Sequence, residues 1–169
     1  MIHRHLTAEL CSAALLLIGA AGLRAQQTTT PTAKAVTGTY AAGTQRSFST
    51  ARDGCWLEVA PVGADSVRLQ IRCQKPAPGH HIGAMDARRP FDHGKVVYET
   101  DKFVGHCRIV VTFSPDRAVV SHDATGANPD SACGFGAYVD VSGTYHRLSA
   151  RRPRFELAPV ERSSAPQRR

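Results

Sequence analysis

The segment CWLEVAPVGADSVRLQIRC, running from Cys55 to Cys73, leaves this chain little conformational freedom. Its apolar residues alternate with the period of a strand that buries one face. Gly63-Ala64-Asp65 is the kind of short loop that joins two such strands into a hairpin. Setting Val62 against Ser66 across that loop places Pro61 opposite Val67, Val59 opposite Leu69, Leu57 opposite Ile71 and Cys55 opposite Cys73. These odd-numbered residues share one face. The other face carries Trp56, Glu58 and Ala60 opposite Arg72, Gln70 and Arg68, so Glu58 has an arginine on each diagonal and Trp56 a guanidinium nearby. A slip of one residue would turn the whole apolar set to solvent and separate the cysteines. Facing strand cysteines are within reach of a bridge, so the register predicts a Cys55–Cys73 disulfide.

Strand patterns continue to the end of the chain. Cys107, Ile109, Val111 and Phe113 alternate in CRIVVTF, and Ala137, Val139, Val141 and Tyr145 alternate in AYVDVSGTY, each marking a buried strand face. Ser114-Pro115-Asp116-Arg117 has Ser and Pro where a type I turn wants them; two registers of the hairpin it joins fit about equally well. KVVYET is a further strand, PAPGHH a loop, IGAMDA a short strand and RRPFDHG a turn. GTY at Gly38–Tyr40 opens the domain and recurs at Gly143–Tyr145, which suits a sheet whose first and last strands are neighbours. No helical period of more than about ten residues occurs after the leader. The pattern predicts an antiparallel all-β domain, a β-barrel or a sandwich of about seven to nine strands with two disulfides.

The ends read differently. Residues 1–25 have a basic beginning (His3, Arg4, His5), an apolar run from Ala13 to Leu23 and a small residue before Gln26, the pattern of a secretory signal peptide. Residues 26–36 (QQTTTPTAKAV) lack any period and read as a linker, 37–148 as the β-domain, and 149–169 as a basic, disordered tail. That tail holds Arg151, Arg152, Arg154, Arg162, Arg168 and Arg169 against two glutamates, so most of the formal charge of +7 lies in it. It is a candidate contact for anionic glycolipid or polysaccharide. With Cys11 in the leader, four cysteines remain: Cys55, Cys73, Cys107 and Cys133. An even count in an exported chain, periplasmic or secreted, favours disulfides. The hairpin takes the first pair and leaves Cys107–Cys133, a closure worth about 3 kcal/mol in the chain-entropy picture.

Catalytic and metal signals are weak. His80, His81, His93, His106, His122 and His146 match no metal-ligand spacing. Ser121, His122 and Asp123 are sequence neighbours on a strand, so they point to opposite faces and cannot assemble a triad. Asp86, Asp92, Glu99, Asp101, Asp116, Asp123, Asp130 and Asp140 fall mainly at expected turns and strand ends. Gly134-Phe135-Gly136 is read as a tight bend with a packed phenylalanine, in preference to an anion-binding run of N–H groups. The expectation is a chain with no catalytic residues, no cofactor and no metal.

The order CRIVVTF, SPDRAVVSHD, SACGFGAYVDVSGTYHRLS, with the opening GTY, resembles the closing half of a group of small exported bacterial β-domains, some of them lysozyme-inhibitor-like. The resemblance covers about the last third of the chain, and CGFG with GTY is its most specific part. It implies an exported antiparallel β-domain that binds a partner and catalyses nothing; the basic tail departs from it, and no binding residue transfers. The expected function is therefore a non-enzymatic exported binding domain, an inhibitor of a muralytic enzyme, with a protein or cell-envelope partner and no nucleic acid. The alternative is an envelope-associated protein held to anionic glycolipid or polysaccharide by its Arg-rich tail.

Overall fold

The structure, a computed structural model, describes residues 30–42, 54–75, 81–101, 105–125, 132–136 and 139–155. They contain eight strands: β1 (Gly38–Ala42), β2 (Gly54–Pro61), β3 (Ser66–Lys75), β4 (His81–Pro90), β5 (Lys95–Thr100), β6 (Cys107–Phe113), β7 (Arg117–Ala124) and β8 (Gly143–Ser149). The sheet order is β4-β3-β2-β1-β8-β7-β6-β5, antiparallel throughout. Two four-strand meanders are thus joined edge to edge by β1 and β8, and the sheet curls into a nearly closed barrel, not a sandwich. The residual seam lies between β4 and β5, where among the described residues only Asp92 and Lys95 pair across it. Continuing that register sets Arg89 opposite Tyr98, and its guanidinium lies 4.9 Å from the Tyr98 ring centroid. A side-chain contact holds this part of the seam where a backbone ladder would otherwise run.

The hairpin of β2 and β3 has the register its alternation dictates, Cys55↔Cys73 through Pro61↔Val67, closed by Val62 N–H donating to the Ser66 carbonyl at 3.0 Å. Its odd-numbered apolar residues point inward, and Leu57, Val59, Val67, Leu69 and Ile71 are fully buried. Ile109, Val111 and Phe113 of β6 meet them with Tyr40 and Tyr145. The second hairpin takes the register Phe113↔Ala118 and Val111↔Val120, with Ser114 N–H donating to the Arg117 carbonyl at 2.9 Å.

Four expectations are corrected. β4 extends through Arg88, Arg89 and Pro90, so the turn is only Phe91–Gly94; nine residues of β4 before Pro90 pair with β3 and override the local turn signal. The last strand starts at Gly143, because Ser142 N–H is taken by the Asp140 carboxylate at 2.8 Å, which makes a turn of residues 140–142. Val139 and Val141 are buried without being in a strand, and Ala137 lies outside the described residues. Residues 33–36 form a turn that packs into the barrel, with Ala33 and Val36 in the core cluster, so the folded unit begins before Thr37. Ser149 belongs to β8, and residues 151–155 lie against the body, so the tail expected to be disordered is in part folded. The leader, residues 1–25, falls outside the described residues. No described helix is long and apolar enough to cross a membrane, and the two disulfides are compatible with an exported chain.

Candidate functional site

The barrel has two unlike ends. At one, the connections are tight turns at residues 62–65, 91–94 and 114–116. At the other, the strand ends are separated by longer stretches of sequence, residues 43–53, 76–80, 101–106 and 125–142, and all four cysteines lie there. Cys55–Cys73 pins β2 to β3 at a Cα separation of 4.1 Å. Cys107–Cys133, with a Cα separation of 5.1 Å, ties the start of β6 to the segment leading into β8. Beyond Cys133, buried Phe135 closes the barrel mouth against β4. A Cβ at Gly83 would lie 2.5 Å from the Phe135 Cα and 2.8 Å from its Cβ, so Gly83 exists to admit that ring. The CGFG run is therefore a plug.

His122 belongs to the same end. It follows Ala118 and Val120 on the inward side of β7, and its Nε2 is buried with no hydrogen-bond partner among the described residues. Ligand atoms of His122, Cys107 and Cys133 lie within 4.8 Å of one another. The two sulfurs are bonded to each other, and a disulfide offers no thiolate to a metal. Ser121 and Asp123 are exposed on the opposite face of the strand, as the alternation requires. His106, in the β5–β6 connection, pairs with Asp101 at 2.7 Å, both well exposed.

A second polar constellation lies on the outer face of the first meander. Strand pairing lines up Thr39, Glu58, Gln70 and Asp86 across β1–β4, with Ala41, Trp56, Arg72 and Ala84 in the adjacent row. Arg68 donates to Asp86 through both Nε (2.9 Å) and Nη2 (2.6 Å), and Gln70 Nε2 donates to the same carboxylate at 2.9 Å. Arg72 faces Glu58 at 3.9 Å. The register puts Arg68 and Arg72 on the two diagonals of Glu58, as the alternation dictates, and Asp86, in mid-strand, adds a partner the sequence does not announce by holding the Arg68 guanidinium with two aligned oxygens. No local pattern announces this group, because its members come from separate strands and Asp86 reads as a turn residue.

The tail arginines divide. Arg151 and Arg154 are exposed. Arg152 Nη2 reaches the Pro61 carbonyl at 3.4 Å and lines a cleft of about 560 Å³ with Lys34, Pro61 and Ala150 at the tight-turn end. Arg162, Arg168 and Arg169 lie outside the described residues. Compared with protein-family models, curated proteins and solved structures, the chain matches none.

Proposed function

We propose that this chain is a non-enzymatic exported binding domain that engages a protein or cell-envelope partner through the loop-bearing end of its barrel. The observation that carries the reading is the filled interior. Tyr40, Tyr145, Leu57, Leu69, Ile71 and Ile109 are all fully buried inside the wall, leaving recognition to the outside. Long connections raised on a rigid scaffold are the usual place for such recognition, and two disulfides fix the strands from which they spring. The partner class favoured by the resemblance of the C-terminal third is a muralytic enzyme. A net positive chain is attracted to a partner with an acidic surface, so the enzymes to try first are those with acidic clefts.

The test is inhibition. The secreted protein, added in stoichiometric amounts to a panel of muralytic enzymes of differing charge, is expected to suppress lysis of a cell-wall suspension by an acidic member. Substitutions in the loop-bearing end should weaken that suppression, and those at the tight-turn end should not. Turnover of peptidoglycan, ester or phosphoester by the protein itself, lost on replacing a single histidine, would overturn the reading.

A further inference from the structure

The two disulfides differ in their company. Beside Cys107–Cys133 stands His122, and the strand register explains why the three residues meet. Cys107 pairs with Ala124 and Ile109 with His122, so Cys107 and His122 are diagonal neighbours on the inward face of β6 and β7. Cys133 arrives from the segment that leads into β8 and completes the group, with all three ligand atoms within 4.8 Å of one another. Among the described residues no such group gathers at Cys55 and Cys73.

The buried His122 Nε2 has no hydrogen-bond partner among the described residues, and a polar atom left so costs on the order of 1–3 kcal/mol. The bridge beside it has no proton to donate. Opened by reduction, the same bridge becomes two thiolates, and two thiolates with one imidazole nitrogen are a donor set for zinc. With bonds of about 2.3 Å to sulfur and about 2.0 Å to nitrogen, a tetrahedral zinc holds its ligand atoms about 3.6–3.8 Å apart. Breaking the S–S bond and a side-chain adjustment of about 1 Å are thus what separates this group from a site. The donors are also suitably placed to adjust: Cys107 and His122 are fixed by the β6–β7 ladder, whereas Cys133 belongs to no strand.

We propose that Cys107, Cys133 and His122 form a zinc site in the reduced chain, so that the same place in the barrel mouth is tied covalently when oxidised and by a metal ion when reduced. Two molecules of a monothiol supply the electrons: their sulfurs join as a disulfide, the protein S–S bond breaks, and their two protons end on Cys107 and Cys133. Zinc then displaces those two protons to solvent and takes both thiolates and the Nε2 lone pair of His122. The fourth position falls to water, since no fourth protein ligand joins the group among the described residues. The ion keeps the Cys133 segment, and with it the Phe135 plug, on β6 when the covalent tie is gone.

Such a site links zinc to the redox equilibrium of one bridge and not the other, and that selectivity is the test. Full-length protein is equilibrated across monothiol–disulfide buffers with and without micromolar zinc, starting from both the oxidised and the reduced chain so that burial of the bridge affects only the time required. Free thiols are then alkylated and assigned by peptide mapping. By mass action, zinc should lower the squared-monothiol-to-disulfide ratio that half-reduces Cys107–Cys133 by about tenfold or more. It should leave Cys55–Cys73 where it was, and His122→Ala should lose the shift. Cobalt(II) added to the reduced, unmodified chain gives a readout that needs no variant: thiolate-to-cobalt charge-transfer absorption with the intense visible bands of a tetrahedral ion. The site is overturned by an unmoved Cys107–Cys133 equilibrium, by an equal shift at both bridges, by a shift that survives in His122→Ala, or by a reduced chain that gives no tetrahedral cobalt spectrum.

Discussion

Val36-Thr37-Gly38-Thr39-Tyr40 and Val141-Ser142-Gly143-Thr144-Tyr145 are nearly the same five residues placed at opposite ends of the barrel. Each leads the chain into a strand, and β1 and β8 run antiparallel, so the two copies lie at opposite mouths. In each the tyrosine hydroxyl donates to the valine carbonyl four residues back at 2.8 Å, and both tyrosines and both valines are buried. The difference is in what backs them. The first copy is wedged by side chains: Tyr40 meets Phe113 edge to face at 5.8 Å, and Arg147 lies 5.8 Å from its ring while donating to the Pro115 and Thr37 carbonyls. The second copy enters from the Cys107–Cys133 segment and is backed by covalent bonds. One local device therefore serves both ends, and the ends differ in how the surrounding chain is restrained. Short turns need only packing, whereas long connections lose more entropy on ordering and are held by disulfides.

Replacing Cys107 and Cys133 by alanine should have the largest effect on this pair, about 2–5 kcal/mol. The loss should fall on the second copy first. Hydrogen exchange should show the amides around Val141 opening before those around Val36, and simultaneous opening would mean that the two ends do not act separately. Glycine substitution should come next. A Cβ at Gly38 would lie 2.1 Å from the Ser149 carbonyl oxygen, so alanine must part β1 from β8, at a cost of about 3 kcal/mol by thermal unfolding. At Gly143 nothing stands within 4 Å and only the backbone conformation, φ 144°, resists, so alanine should cost about 1 kcal/mol. Equal costs would refute the asymmetry.

The smallest effect is the most discriminating. Burial raises the pKa of both tyrosines, but Arg147 partly offsets this at Tyr40, whereas the Asp140 charge adds to it at Tyr145. A folded-state pKa above the unfolded value of about 10 means that the native state keeps its proton longer. The stability from each hydroxyl is thus complete below about pH 10 and is lost as pH rises toward the folded pKa, at up to about 1.4 kcal/mol per pH unit for each group. Tyr145→Phe should flatten the alkaline limb of a stability–pH curve more than Tyr40→Phe does. Both should cost about 1–3 kcal/mol at neutral pH, where each leaves a buried carbonyl without its donor. The same flattening from both would break the distinction.

What the sequence discloses here follows the range of its interactions. The β2–β3 register is legible because its alternation, its loop and its two cysteines agree within one hairpin, and the second disulfide follows by elimination. β4 is read too short because Pro90 and the charged pair Arg88 and Arg89 look like a turn until β3 is laid beside them. Asp86 is missed for the same reason, since its partners Arg68 and Gln70 precede it on a different strand. Ala33 and Val36 carry no period in a Thr- and Ala-rich run, and only the open barrel mouth gives them somewhere to go. The reverse error, a strand drawn through Val139 and Val141, arises because alternation records burial without recording backbone pairing.

The seam between β4 and β5 gives the wall the mechanics of a slit tube. A cylinder cut along its length keeps most of its resistance to bending but loses most of its resistance to torsion, because shear no longer circulates around the wall. Here the cut runs beside the Phe91–Gly94 turn, and the spine opposite it is the β1–β8 ladder. The two meanders are the leaves on either side of that spine, with Arg89 on Tyr98 as the catch on their free edges.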